Sequence, residues 1–565
     1  MKKQRLPALL AFLCVVVMLV VGRYTYKDYG MTLDEFTDRG IATLNYQYVV
    51  NTYLGQDVHV IDGTLPEARD RYYGVALQMP MVLVEALTGF TMPLNEAFSI
   101  RHFYIFGVCL CGWVCFYLFC QRVFRNRWLA LLGMLMVALY PRFWGEQFTN
   151  IKDMLFTAAC CASLLGIALC LEHEGKWRYE VLGAFLSALC ANTRFVGFQF
   201  PALLFGYRLL RDWALLGVPK GERKAWFFRR FPRYVAHLAL LLLFYLILTP
   251  AAWSAPFAFL RELFGTFANY DAWQGTVLFL GQSYAGNKLP WYYLSVWVLF
   301  SVPLWYLALA LYGAIRPCAT PKRRKASLRE WFSRLLLGHS RYLVLCLVVA
   351  IIPLLAPLLK EVTLYNSWRH TYYVLPMLVA AALYGVEKLW NRVRDRRAAA
   401  GALAVCLCAL LGYQAVWTAL NHPYEKVYFN PVGRQYAGQL DRDHWNETDT
   451  RQLRTILQND PSDRVTVTGK EDIYRVVHYF LTPAEAKRII CVYEDSPTAE
   501  YFIDIAQSAV EPGQYENYTP VFQIRMRDGL LLSTLQIRND VLQERFGGVY
   551  PAGFSKPNEK RRGNQ

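Results

Sequence analysis

Long apolar runs constrain this chain more than any other feature of its sequence. The longer runs match the ~20 residues that a helix needs to cross a ~30 Å hydrocarbon core, and several are shorter. The runs cover residues 7–22, 101–120, 128–141, 154–171, 178–192, 195–210, 235–252, 291–312, 342–358, 372–386 and 398–420. We therefore predict a polytopic α-helical membrane protein with about 11 transmembrane helices.

The distribution of positive charge predicts how this bundle is oriented. Lys and Arg are concentrated in segments 121–127, 211–234, 316–341 and 387–397. Cytoplasmic loops are enriched in these residues, and with 11 spans and a cytoplasmic N-terminus all four segments lie inside. The net charge of +17 is then explained by topology and by contact with anionic membrane lipids. Because no basic face is interleaved with aromatic residues, we exclude a nucleic-acid partner.

The polar segments divide the chain into parts. We predict a transmembrane module at 1–420, whose first external loop, 23–100, carries juxtamembrane helices at 33–54 and 74–90. Short strand-like segments and an Asp528-Gly529 hairpin turn predict a small external α/β domain at 421–551. The end, 552–565, is polar and is predicted to be disordered.

Charged residues cluster at the outer ends of the predicted spans, where they are costly unless they have a partner or a function. They are Asp34, Glu35, Asp38, Arg101, Arg142, Glu146, Lys152, Asp153, Arg194, Lys288, Arg369 and His370. Several cations beside carboxylates suit a site in which the cations hold an anionic headgroup. A carboxylate of the same site would then act on the group next to this headgroup. A sugar on a polyprenyl phosphate is such a substrate: its transfer needs a base for the acceptor proton and cations for the departing phosphate.

Each of these residues also has a structural interpretation. Lys152-Asp153 could begin the fourth span, with Asp153 favoured by the helix dipole. Arg101, Arg194 and Arg369 could be interfacial anchors, Glu146 could be solvated, and His370 could be a buried, hydrogen-bonded histidine. At the level of the whole chain, a transporter or flippase for a lipid-linked sugar and a non-catalytic envelope scaffold are the alternatives. Transporters place ionisable groups near the midplane in paired halves, whereas these charges gather at the outer boundary.

The stretch Thr32-Leu33-Asp34-Glu35 has the spacing of a capping box, in which Glu35 reaches back to the N-cap. A helix would start there, with Asp34 in its first turn, where the dipole favours the ionised carboxylate. We expect Glu35 to fix the turn, Asp34 to be the catalytic base, and Asp38 to be solvated.

Several motifs together resemble the membrane-embedded GT-C glycosyltransferases, in particular the bacterial protein O-mannosyltransferase and aminoarabinose-transferase branch. The motifs are Asp34-Glu35, Tyr73-Gly74, Arg101-His102, Pro141-Arg142-Phe143, Asn150-Ile-Lys-Asp153, Asn192-Thr-Arg194, Pro290-Trp-Tyr-Tyr293, Trp368-Arg-His370 and His422-Pro-Tyr-Glu-Lys-Val-Tyr-Phe-Asn-Pro431. The resemblance extends over residues 1 to about 450 and rests on the order of the motifs. Two positions depart from it: Ile151 stands where related bacterial sequences tend to have Pro, and Glu146 where they often have His.

The resemblance implies an outward-facing site in a bacterial cytoplasmic membrane, with a polyprenyl-phosphate-linked sugar as donor and an extracytoplasmic acceptor. It implies Asp34 as base, with Asp153 and Glu35 as further catalytic candidates. Arg101, Lys152, Arg194, Arg369 and His370 are the candidate carrier-phosphate ligands. A divalent cation is the one cofactor that the resemblance admits, with Glu146 and Asp153 as its candidate ligands.

Overall fold

A computed structural model describes most of the chain. The described residues are 5–212, 221–268, 273–318, 328–338, 340–359, 362–442, 445–469, 473–492, 498–505, 516–549 and 554. The predicted disordered end, 552–565, therefore lies outside the described residues except for Phe554, whose ring packs near that of Phe546.

Helices dominate the described chain. The first half contains α1 (Arg5–Thr25), α2 (Leu33–Tyr53), α3 (Met79–Leu87), α4 (Leu94–Phe124), α5 (Arg127–Ala138), α6 (Pro141–Thr149), α7 (Asp153–Glu172), α8 (Trp177–Thr193), α9 (Gln199–Leu210), α10 (Arg223–Ile247) and α11 (Pro256–Ala268). A short hairpin follows, β1 (Thr276–Phe279) with β2 (Gln282–Ala285). Then come α12 (Tyr293–Ser301), α13 (Leu304–Cys318), α14 (Leu328–Leu337), α15 (Arg341–Leu359), α16 (Val374–Val393) and α17 (Arg397–Leu420).

Every predicted apolar run coincides with helical structure, but the predicted number of spans is not confirmed. Among the described residues, six helices are long and apolar enough to cross a membrane: α1, α4, α7, α10, α15 and α17. Two bent pairs, α5 with α6 and α12 with α13, raise the number to at most 8. Helices α8, α9 and α16 contain the remaining runs, and they are either shorter or carry charges at one end.

Both bent pairs break next to a proline. The α5–α6 pair bends by 64° just before Pro141, and the α12–α13 pair bends by 115° at Pro303. Proline lacks the amide hydrogen that would continue the preceding helix, and it disfavours helical backbone in the residue before it. The first break places the short helix α6 and the loop after it at one end of α7, beside the first loop.

The two helices predicted for the loop 23–100 are present. Helix α2 matches the predicted segment 33–54, whereas α3 occupies only the middle of the predicted segment 74–90. Leu83, Val84 and Leu87 on α3 are exposed, which suits a helix lying in a membrane interface. Glu85 on the opposite face bonds both Arg39 of α2 and Arg101 of α4, with nitrogen–oxygen distances of 2.5 and 2.6 Å.

The chain after α17 forms a mixed sheet with flanking helices. Its elements are α18 (Glu447–Asn459), β3 (Val465–Gly469), α19 (Tyr474–Tyr479), α20 (Pro483–Ala486), β4 (Ile489–Cys491), β5 (Tyr501–Ile505), β6 (Tyr518–Arg525), β7 (Leu531–Arg538) and α21 (Asn539–Phe546). The strand order is β4-β3-β5-β7-β6. The predicted Asp528-Gly529 hairpin joins β6 to β7, with Gly529 at a φ of 86° that favours glycine. The division into domains at residue 420 stays a prediction.

The core of this sheet also includes residues of the first loop. Met31, just before α2, and Phe98 of α4 are buried in the same hydrophobic cluster as Val467 and Leu535 of the strands. Gly30 approaches the backbone of α18 so closely that a Cβ there would lie 2.4 Å from the carbonyl oxygen of Glu447. The sheet therefore packs directly against the segment that leads into α2.

Candidate active site

The N-terminus of α2 has the capping arrangement that its sequence predicts. One Glu35 carboxylate oxygen accepts hydrogen bonds from the Thr32 backbone N–H at 2.8 Å and from the Thr32 hydroxyl at 2.9 Å. The other carboxylate oxygen lies 2.8 Å from His102 Nε2. Glu35 is buried and both of its oxygens are bonded, so it holds the turn while its neighbour Asp34 points elsewhere.

Asp34 lines a cavity of about 310 Å³ and is partly open to solvent, with 37% of its side chain exposed. Its Oδ2 accepts a hydrogen bond from the Arg369 guanidinium at 3.1 Å. The same guanidinium nitrogen lies 3.2 Å from Asp153 Oδ2. Asp34 is thus accessible from the cavity, as a general base must be, while a cation holds its carboxylate in place.

Two more cations in the wall of this cavity are paired with acids. Arg194 Nη2 lies 2.5 Å from Asp153 Oδ1, and Lys152 Nζ lies 2.7 Å from Asp38 Oδ1. Asp153 is 1% exposed and pairs with two guanidiniums, so its role in the resting protein is to fix Arg194 and Arg369. The structure therefore brings Asp34, Lys152, Asp153, Arg194 and Arg369 together.

The expectation that Asp38 is solvated was wrong. Its side chain is fully buried and forms the ion pair with Lys152. Asp38 follows Asp34 by four residues, so both lie on the same face of α2, and this face is turned towards the N-terminus of α7. The spacing of the two acids was a signal for the pair, but the sequence did not show which cation faced them.

The local fold explains why these residues converge. Lys152 is the N-cap of α7 and Asp153 is its first residue, so both lie where α6 ends. Arg194 follows α8 in extended backbone. Gly74 docks against this end of α8: its N–H donates to the Asn192 carbonyl at 3.0 Å, and a Cβ would lie 2.2 Å from that oxygen. This close approach places Tyr73 of the first loop beside Lys152, whose ammonium lies 4.8 Å from the ring centroid.

The cations control the ionisation of Asp34. Burial alone would raise its pKa, but Arg369, Lys152 and Arg194 outweigh burial and hold the pKa below its usual range. Asp34 is therefore ionised at neutral pH. His370 also lines the cavity, and burial together with the same three cations lowers its pKa well below the usual value. It is neutral, and so it offers a phosphate a hydrogen bond but no positive charge.

Aromatic residues that the sequence did not single out hold the central arginine. The Arg369 guanidinium carbon lies 4.7 Å from the ring centroid of Tyr365 and 4.5 Å from that of Trp445. Trp273 stacks on Tyr365 with centroids 4.3 Å apart. Such cation–π contacts orient a guanidinium without neutralising it. Tyr365 precedes Arg369 by four residues in a segment that is not helical, and Trp445 is distant in the chain, so no sequence spacing indicated either contact.

Arg101 does not line this cavity. It is buried and bonded to Glu85 together with Arg39, an arrangement that ties α3 to α2 and α4. Among the candidate phosphate ligands it therefore stands apart from Lys152, Arg194, Arg369 and His370, which all line the cavity.

Glu146 and Asp153 do not fit a metal site in this arrangement. The Glu146 oxygens accept hydrogen bonds from Tyr372 at 2.8 Å, Asn150 at 2.9 Å and Trp445 at 3.2 Å. Both Asp153 oxygens face guanidiniums, as described above. Divalent cations need free carboxylate oxygens, whereas these oxygens face donors and positive charges.

Comparisons with known proteins give structural matches alone. No protein-family model matches the chain, and no curated protein matches its sequence. Solved structures that match include the archaeal oligosaccharyltransferase AglB from Archaeoglobus fulgidus with an inhibitory peptide and a dolichol-phosphate (12% identity, 93% of this chain and 74% of that chain, TM-score 0.43). ArnT from Cupriavidus metallidurans bound to undecaprenyl phosphate also matches (12% identity, 94% of this chain and 97% of that chain, TM-score 0.45). The arabinofuranosyltransferase AftD from Mycobacteria matches as well (12% identity, 95% of this chain and 41% of that chain, TM-score 0.40). Similarity at these identities and TM-scores does not by itself assign a reaction to this chain.

Proposed function

We propose that this protein is a membrane glycosyltransferase that moves a sugar from a polyprenyl-phosphate carrier to an acceptor outside a bacterial cytoplasmic membrane. The observation that carries the proposal is the 310 Å³ cavity in which the accessible carboxylate of Asp34 lies beside Arg369, Arg194 and Lys152. A carrier of this kind has a phosphate that needs cations and an apolar tail that needs a membrane, and the six to eight apolar helices provide the membrane setting.

The reaction is a displacement at the anomeric carbon of the donor sugar. The acceptor oxygen or nitrogen forms a bond to this carbon, and its proton passes to the Asp34 carboxylate. The bond between the anomeric carbon and the phosphate oxygen breaks, and polyprenyl phosphate leaves with the electron pair. Because negative charge builds on the leaving phosphate, fixed cations lower the barrier.

The surrounding carboxylates keep the three cations in place before the donor binds. Arg369 is shared between Asp34 and Asp153, Arg194 is held by Asp153, and Lys152 by Asp38. Because these pairs already fix their positions, the guanidiniums need not reorganise during the reaction. His370 adds a neutral donor. No step requires a metal.

The test is transfer from a labelled polyprenyl-phosphate sugar by the full-length protein in proteoliposomes that contain its membrane lipids. We expect Asp34→Asn to lower the transfer rate by about 10²- to 10⁴-fold, the usual contribution of a general base. The Asn side chain keeps the size of Asp and can still face Arg369, so binding of the donor should change little.

Glu35→Gln is the matched control. A glutamine can still cap the helix, and its expected transfer rate is close to that of the unmodified protein. Full activity in Asp34→Asn would remove Asp34 from the proposed role. Movement of the lipid-linked sugar across the bilayer with no transfer product would contradict the enzyme proposal and favour a flippase.

A further inference from the structure

A second, larger cavity lies on the other side of α2. Its volume is about 1210 Å³, large for a small-molecule site. Three elements of the first loop form most of its wall: α2, the segment 57–62 that follows it, and the end of α3. Tyr479 of α19 closes it from the C-terminal side, where its ring stacks on Phe36 with centroids 4.4 Å apart.

The two cavities are adjacent. Thr37, Arg69 and Asp70 line both of them. Thr37 follows Asp34 by three residues and therefore lies close to it on the surface of α2. A molecule in the larger cavity that reaches this boundary would present its end to the carboxylate of Asp34.

The wall of the larger cavity is fixed by side chains of α2. The Asn51 side chain bonds both the N–H and the carbonyl of Val58, at 2.8 and 2.9 Å. The side-chain carbonyl of Gln47 accepts a hydrogen bond from the backbone N–H of Val60 at 2.8 Å. The side-chain amide of Gln47 donates to the backbone carbonyl of Ile61 at 3.3 Å. Segment 57–62 is thus tied to the helix over its length, which preorganises the cavity for binding.

The lining combines half-buried aromatic rings with carboxylates. The rings belong to Phe36, Tyr46, Phe90 and Tyr479, and the acids are Asp57, Asp62 and Asp70. Ring faces pack against the C–H faces of sugars, while carboxylates accept hydrogen bonds from hydroxyl groups. An acyl chain would need an unbroken apolar lining, which the acids and His59 interrupt.

We propose that this cavity binds the acceptor, and that the acceptor is a saccharide chain of several sugar units. The inference rests on the proposed function, since it supplies the substrate that accepts the transferred sugar. The chain lies along Tyr46 and Phe90, and its terminal hydroxyl reaches Asp34 past Thr37.

The test measures binding separately from transfer. The probe is the envelope glycan of a strain that lacks this gene, released from lipid by mild acid and sized to short oligosaccharides. Full-length protein in nanodiscs should bind it, and the binding should survive proteinase treatment of the probe and be lost after periodate oxidation. Each of Tyr46→Ala and Phe90→Ala should weaken binding roughly tenfold, because each removes one stacking face.

Tyr53→Ala is the matched control, since Tyr53 lies on the same helix but packs on Trp253 outside this cavity. Tyr46→Phe keeps the ring and should retain binding. Asp34→Asn should bind the glycan normally while losing transfer. If it bound and also transferred, Asp34 would lose its role as base and the acceptor site would stand. If the unmodified protein bound the glycan but transferred no sugar to it, the proposed function would fail and the binding site would stand.

Three outcomes would overturn the acceptor site. They are unchanged binding in both alanine variants, binding that proteinase destroys, and binding of the lipid portion alone. If the intact glycolipid binds and the released glycan does not, with periodate still abolishing binding, the saccharide is recognised on its lipid anchor.

Discussion

Two clusters of paired charges differ in what they leave accessible. Around Arg369, three cations that line a cavity are paired with three acids, and the side chain of one of these acids, Asp34, remains 37% exposed. Around Arg208, the guanidinium bonds both oxygens of Glu180, at 2.7 and 3.1 Å, and His237 adds a third contact at 2.9 Å. Arg208 and Glu180 are each 1% exposed. Ion pairs occur in both clusters, so pairing alone does not identify a functional site.

The second cluster instead connects α8, α9 and α10. Cys170 also lies near Glu180 and His237, and these three side chains could surround a metal ion by distance alone. The bidentate contact with Arg208 places a positive charge where the metal would bind, which disfavours it. We therefore interpret the Arg208 cluster as structural. We expect substitutions in the Arg208 cluster to lower the stability of the protein, and substitutions in the Arg369 cluster to lower the rate of the reaction.

The largest expected effect on stability is that of Arg208→Met. The substitution leaves the buried Glu180 carboxylate without its main partner, and breaking a buried pair in this way costs about 3–5 kcal/mol. Thermal unfolding in detergent would measure the loss. Arg122→Met is the control, because Arg122 pairs with Glu172 at 2.8 Å where both side chains are partly exposed, and exposed pairs contribute about 0–1 kcal/mol. Equal losses in the two variants would contradict the assignment.

Arg369→Gln should lower kcat by about 10²- to 10³-fold, the usual cost of removing one donor that stabilises transition-state charge. The rate of transfer at saturating donor would measure it. Arg71→Gln serves as control, since Arg71 pairs with Glu262 at 2.9 Å outside the lining of the Asp34 cavity. If Arg369→Gln kept its kcat while folded Arg208→Met lost it, the assignment of the reaction to the Arg369 cluster would be contradicted.

The pH profile gives a smaller but more specific effect. Asp34 acts as a base only when ionised, so activity is present above its pKa and is lost as the pH falls through it. The three cations hold this pKa below its usual range. Arg369→Gln removes one of the cations that oppose the effect of burial on Asp34. The pKa of Asp34 therefore rises, and the acid limb of the pH profile of kcat/KM should move to higher pH. In Arg208→Met the limb should not move; a shift there would show that the two clusters are coupled.

The local structure of this site was easier to predict from the sequence than the contacts between distant segments. The capping contact of Glu35, helix α2, and the Asp528-Gly529 hairpin were all predictable, because each depends on residues close together in the chain. The pairing of Lys152 with Asp38 and the packing of Trp445 on Arg369 were not. These contacts join distant segments, and no local pattern specifies them.

The number of spans shows a related limit. Apolar runs predicted helices correctly, but a run does not show whether its helix is straight or long enough to cross a membrane. Pro141 and Pro303 bend two pairs, and α8 and α16 carry charges near one end. Arg101 illustrates the same point for charges: the sequence placed it at the outer boundary, and only the fold shows that it bonds Glu85.

The smallest expected effect tests whether the C-terminal region helps to position Asp34. The Arg475 guanidinium of α19 donates to the Leu33 carbonyl at 3.0 Å, one residue before Asp34, and lies 5.8 Å from the Phe36 ring. Arg475→Gln removes the charge but leaves an amide donor, so only part of this hydrogen bond is lost. A cost of about 1 kcal/mol in the positioning of Asp34 corresponds to a roughly fivefold lower kcat. KM for the donor should not change, because Arg475 does not line the Asp34 cavity.

Arg454→Gln separates this positioning role from a general loss of the C-terminal fold. Arg454 lies on α18 of the same region and pairs with Glu485 at 3.4 Å, where both side chains are partly exposed. Arg475→Lys, which keeps the charge, should restore part of the rate. If Arg475→Gln and Arg454→Gln lower kcat equally, the effect is structural. If only Arg475→Gln does, the sheet region holds the first turn of α2, and the accessible cluster depends on a contact from outside the helical bundle.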